Sequence, residues 1–170
     1  MKPIKLMCAL CAVVMTFTAQ GKKYKFTFAP PYDIEQVRVA QQGTKFVQSW
    51  ALDKNADKAI IQAKQNAVAA MLFTGIAPND VMGAGVIPPL FPQGSAAYEQ
   101  HKDFFDKFFQ QGEFLKYALD VNSTYPTGQN NVQTPNGRRV GVYLQLMYDD
   151  LRRLLIQENM IKAMGDQLRF

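Results

Sequence analysis

Both cysteines of this chain, Cys8 and Cys11, fall inside an N-terminal segment with the pattern of an export signal. Lys2 and Lys5 precede an apolar run from Leu6 to Phe17, and Ala19-Gln20-Gly21 follows. A basic start, a short apolar centre and small residues at −3 and −1 of a cleavage point mark a secretory signal peptide, here residues 1–21. Cleavage after Gly21 puts small side chains at both positions, whereas cleavage after Ala19 would put Phe17 at −3. The run is shorter than the roughly 20 apolar residues of a membrane span, so no stable span is expected after cleavage. Met7 and Leu10, neither of them small, precede the two cysteines, which argues against lipidation there.

This segment sets the terms for folding. Of 170 residues, removing the first 21 leaves 149 with no cysteine, and loss of Lys2 and Lys5 lowers the formal charge from +5 to +3. Disulfides, thiol nucleophiles, cysteine-ligated zinc and iron–sulfur clusters are then excluded from the mature chain. Its stability must come from an apolar core. A chain of about 150 residues buries roughly two thirds of its unfolded surface, which suffices for one domain.

Residues 22–36 read as a leader, with Tyr24, Phe26 and Phe28 alternating with Lys25 and Thr27 as in a short edge strand. Val37-Arg38-Val39 and Thr44 to Trp50 are β-prone around the turn Gln41-Gln42-Gly43, and suit a hairpin or one bent strand. Ala56, Ala59, Ile60, Ala63, Ala67, Ala70 and Met71 recur at helical spacing, predicting a helix over 56–73 capped by Asp53 or Asn55 and ended at Thr74-Gly75. An irregular Gly/Pro stretch over 75–97 holds an apolar run from Val86 to Phe91. A second helix is expected over 96–111, closed by Gly112. Leu115, Tyr117, Leu119 and Val121, then Val140, Val142, Leu144 and Leu146, alternate as in half-buried strands. The connection 123–139 is long for a hairpin loop. Asp149 and Asp150 open a last helix carrying Leu151, Leu154, Leu155, Ile161 and Met164, their carboxylates suited to its positive end. The order predicts an α+β fold: a small, mainly antiparallel sheet with helices packed on one face, in a single domain over 37–170.

Catalytic motifs are not evident. His101 is the one histidine, on the polar side of the second expected helix, and Ser49, Ser95 and Ser123 of the mature chain lie in no Gly-x-Ser-x-Gly elbow. Gly83-Ala84-Gly85-Val86-Ile87-Pro88 has Pro where a dinucleotide loop needs its third glycine, and reads as a surface loop. Lys22-Lys23, Arg138-Arg139 and Arg152-Arg153 are too small as clusters, at +3 overall, to imply nucleic acid. No catalytic residue, metal site or cofactor is assigned. The stripe Phe104, Phe105, Phe108 and Phe109 suits core packing or, alternatively, a partner-binding face that the loop 86–91 would extend.

The segments KNADKAIIQAKQNAVAAMLFTGI (54–76) and VGVYLQLMYDDLRRLLIQENMIKAM (140–164) carry a resemblance. Over roughly 37–164 the chain resembles the small exported α/β domains of the 20-kDa membrane-associated lipoprotein family and the N-terminal domain of flagellar assembly protein FlgT. These are similar in turn to the N-terminal domain of TolB and to parts of CsgG-type assembly factors. The resemblance implies an exported bacterial envelope protein that supports an assembly and has no shared active site. The chain departs from that pattern in lacking a lipobox and in its 75–97 stretch.

The expected function is therefore a periplasmic or extracellular envelope protein acting through contact with another envelope protein. Val86, Ile87, Leu90, Phe91, Phe105 and Phe109 are the expected partner surface. A carboxylate-dependent hydrolase outside the cytoplasm and a small-ligand binding module stand as alternatives. The hydrolase would need two converging carboxylates in a deep pocket.

Overall fold

The computed structural model describes residues 23–38, 42–122 and 124–162. The expected signal peptide with Cys8 and Cys11, as well as Val39 and Met164, lies outside the described residues. Five strands, β1 (Ile34–Arg38), β2 (Lys45–Asp53), β3 (Ala118–Asp120), β4 (Asn131–Thr134) and β5 (Gly137–Leu146), form one antiparallel sheet. The helices are α1 (Ala56–Ala69), α2 (Ser95–Gln100), α3 (Lys102–Gln110) and α4 (Tyr148–Gln157). This is the expected α+β fold in one domain.

β1 and β2 form the expected hairpin, with Ile34 opposite Ser49. β1 thus begins inside the segment read as a leader. β2 then pairs with β5 from Lys45–Leu146 to Asp53–Arg138, which aligns Val47, Ser49 and Ala51 with Leu144, Val142 and Val140 on one face. α1 covers that face. Its Ala59, Ala63 and Ala67 are fully buried, and side chains that small let the helix sit close enough for Ser49 Oγ to donate to the Ala63 carbonyl at 2.8 Å. Asn55 starts the helix, its side chain accepting from the amides of Asp57 (2.8 Å) and Lys58 (3.3 Å). A π-helical turn, Ala70–Thr74, extends it to Gly75.

The apolar alternation of 22–36 leads to packing rather than a strand. Residues 23–33 form no strand or helix and are held by Tyr24 N–H donating to the Gln110 carbonyl (2.8 Å) and by Gln65 Nε2 donating to the Lys25 carbonyl (3.1 Å). Phe26 stacks on Phe109 with centroids 3.7 Å apart, and Phe28 stacks on Tyr98 at 4.7 Å. With Phe73, Phe91, Phe105 and Phe114 these rings form an aromatic end to the core.

Four expectations change in detail. The second helix is two helices broken at His101, and the break lets Tyr98 O–H donate to Asp106 Oδ1 at 2.7 Å. Eight residues of unbroken helix would span about 12 Å, too far for that bond. The strand expected near 115–122 shrinks to β3 after a 3-10 turn at Glu113–Lys116, and its phase is reversed. Ala118 pairs with Leu146 and is buried, so Leu119 stands on the other face, 43% exposed. The connection 123–139 contains β4, which turns through Pro135-Asn136 into β5. In the last helix, Ile161 falls beyond the end of α4.

Candidate functional site: a pinned apolar loop

Residues 76–87 leave the end of the π-helical turn and return to it as a two-rung ladder. Ile76 and Ile87 exchange amide–carbonyl bonds at 2.9 and 3.1 Å, and Asn79 and Ala84 do so at 2.8 and 3.0 Å. Gly75 makes the base. Its φ is +70°, and a Cβ there would stand 2.7 Å from the Ile87 carbonyl oxygen, so glycine alone fits.

The sheet edge pins the loop from the side. The Gln36 side chain of β1, almost wholly buried, donates to the carbonyls of Ala77 (2.7 Å) and Gly85 (2.8 Å). Asn79 answers by donating through Nδ2 to the Gln36 carbonyl at 2.6 Å, while its Oδ1 accepts from Met82 N–H at 3.2 Å. The loop thereby caps part of an edge strand whose groups would otherwise face solvent. Held this way, it presents Val81 at 91% exposure, Val86 at 65% and Met82 at 48%. The stretch 65–101 carries Asp80 and Glu99 but no lysine or arginine.

Of the six residues expected to form a partner surface, only Val86 is exposed. Ile87, Leu90, Phe91, Phe105 and Phe109 are buried in the core, which corrects that expectation. The cause lies in the backbone. The rung at Ile76–Ile87 turns Ile87 inward, and the amides of Leu90 and Phe91 donate to Met71 and Leu72 of the π-helical turn (3.0 and 2.8 Å). That draws Phe91 against Phe73 and Phe105, and Phe109 is occupied by Phe26. Val81 and Met82 were not singled out. Their signal was the turn chemistry around them, Asn79 as a cap and Gly83 in the left-handed region.

The acid–base groups are placed elsewhere and are engaged or solvated. Asp33 pairs with Arg139, Asp106 with Lys102, Asp120 with Lys64, Glu113 with Lys116 and Asp150 with Arg153. Asp53 accepts the Asn55 amide at 3.0 Å, and the remaining described acids are exposed. Burial, then the bond to Asp106, raises the Tyr98 hydroxyl above its ordinary value. His101 sits at the helix break, with ring contacts to Phe91 and Phe105. No group of three or more His, Cys, Asp or Glu side chains that could hold a metal occurs among the described residues. None of the described helices is long and apolar enough to cross a membrane. Comparison with protein-family models, curated proteins and solved structures finds no match to this chain.

Proposed function

We propose that this chain is an exported, non-catalytic protein of the bacterial envelope that works by protein–protein contact, with the loop 76–87 as its contact surface. The observation that carries this reading is the rigid presentation of Val81, Met82 and Val86 to solvent. Apolar residues on a mobile loop tip are unremarkable, but here both rungs and the Gln36 bonds fix the backbone. A preformed surface gives up little conformational entropy on binding, and its apolar area then counts toward affinity. A partner with an apolar recess suits it better than an anionic lipid surface, which recruits lysine and arginine that 65–101 lacks. The export pattern of residues 1–21 and the resemblance to envelope assembly domains support the address.

The test is site-specific photo-crosslinking in whole cells, with a photoreactive residue in place of Val81 or Val86 and, as a control, of Leu52, an exposed apolar residue on β2. One discrete protein adduct from positions 81 and 86, absent from position 52, is expected. No adduct, or the same adducts from all three positions, would refute the assignment.

A further inference from the structure

At the sheet edge opposite β1, β5 has two short partners in line. β4 covers residues 137–140 and β3 covers 144–146, so Gly141, Val142 and Tyr143 fall between the two registers. β3 and β4 amount to one strand interrupted by an excursion of the chain between them. The amide of Val121 donates to the Tyr143 carbonyl at 3.0 Å as the last rung before the chain departs. The interruption opens a cleft of about 360 Å³, at the small end of the range for ligand pockets.

The lining has a definite chemistry. Tyr125 and Tyr143 supply aromatic walls, and Ile60 and Pro126 add apolar surface. Tyr125 is held by its hydroxyl donating to Asp57 Oδ1 in the first turn of α1 at 3.0 Å. The side chains of Asn122, Thr124 and Thr127 make no hydrogen bond with any described residue. Asn130 uses its Oδ1 to accept from Gln48 at 2.8 Å, which leaves its NH₂ group to donate. Among the described residues of the lining, Asp120 is the single carboxylate, paired with Lys64 at 2.7 Å, and there is no lysine or arginine.

These features select a ligand class. Hydroxyl and amide side chains both donate and accept, which matches a molecule whose own hydroxyls do the same. An anion would find no cation in the described lining; Arg138, whose charge reaches the Tyr125 hydroxyl, stands outside it and donates to Asn131 Oδ1 at 2.8 Å. A wholly apolar ligand would strand the amides and hydroxyls without partners, which is costly for each group buried that way. Tyrosine rings offer faces for the C–H surfaces of a sugar ring. We infer that this cleft binds a short neutral carbohydrate, independently of the contact loop at the other edge of the sheet.

The test is saturation-transfer NMR on the full chain with maltotriose, cellotriose and N,N′-diacetylchitobiose as neutral probes and digalacturonate as the anionic one, each at about 10 mM, well above a millimolar Kd. At least one neutral probe should bind. Tyr125→Ala should weaken that binding about tenfold, as loss of an aromatic wall does, and Tyr125→Phe should weaken it less. Thr127→Val, which keeps the shape and removes the hydroxyl, should also weaken it while the circular dichroism spectrum stays unchanged. The inference is overturned if no neutral probe binds, if only digalacturonate binds, or if binding survives both Tyr125→Ala and Thr127→Val.

Discussion

Replacing Gln36 by Met keeps the volume and apolar stem of a buried side chain but removes both donors that pin the contact loop, to Ala77 and Gly85. Each such bond contributes about 1 kcal/mol net, because the freed carbonyls regain water when the loop opens. Ala77 and Gly85 are both exposed, so rehydration is available and the two bonds together stabilise the closed loop by about 2 kcal/mol. That corresponds to about a 30-fold rise in the open population. Native-state hydrogen exchange reads this directly, since local openings release particular amides without global unfolding. The amides of Ile76, Asn79, Ala84 and Ile87, all hydrogen-bonded within the loop, should exchange about 30-fold faster in Gln36→Met. The Leu144 amide in β5 should change far less. Unchanged loop amides would show that the ladder stands without Gln36. Equal acceleration everywhere would show that the bonds support the whole fold and not the loop.

Other outcomes follow from single contacts. Gly141→Ala places a Cβ 2.6–2.7 Å from three carbons of the Trp50 ring, so the ring must shift against Arg139, which stacks on it at 3.9 Å. A loss of about 1–3 kcal/mol is expected. Trp50 is the lone tryptophan, so the shift should also change the protein's tryptophan emission, and wild-type stability with unchanged emission would contradict the packing. Asn55→Ala removes the α1 cap and should cost about 1 kcal/mol in denaturant unfolding, while Asn55→Asp should cost little. Burial pushes the Tyr32 hydroxyl up from 10.0 to about 12, and burial is also the largest cause of the upward shifts at Tyr98, Tyr117 and Tyr148. The folded chain favours the neutral phenol, so this stabilisation is whole below pH 10 and is lost as pH rises through about 12. Part of the phenolate absorbance should therefore appear only as circular dichroism is lost. Complete titration of the tyrosines near pH 10 in folded protein would contradict it.

How much of this was legible in the sequence depended on whether burial followed a local period. β5 was legible because Val140, Val142, Leu144 and Leu146 all face α1, and α1 because its alanines repeat at helical spacing. β3 misled, since the register with Leu146 buries small Ala118 and exposes the larger Leu119. β4, reading Asn-Val-Gln-Thr, has no apolar alternation, and its position is fixed by pairing with β5 through the Pro135-Asn136 turn. The break at His101 answers to a tertiary bond between Tyr98 and Asp106 that no local pattern announces. The loop was expected to be a contact surface, and of the residues on its outer side the sequence pointed to Val86 but not to Val81 or Met82. Which of Val81, Met82, Val86 and Ile87 turns outward is decided by the rungs at Ile76–Ile87 and Asn79–Ala84, and apolar content alone says nothing about that. The cleft beside β5 was not legible at all, because it exists only where two strands share one edge.

Met82 gives the most direct test of the contact loop, since it sits half-exposed on the proposed surface and Met71 in the core provides an internal control. Thioether oxidation to the sulfoxide requires access to the sulfur. Brief peroxide treatment followed by peptide mass spectrometry should find Met82 oxidised readily in the purified protein and little in intact cells, where the partner covers it. Met71 should stay unoxidised in both. Equal oxidation of Met82 in cells and in purified protein would contradict the claim that this loop is held against another protein.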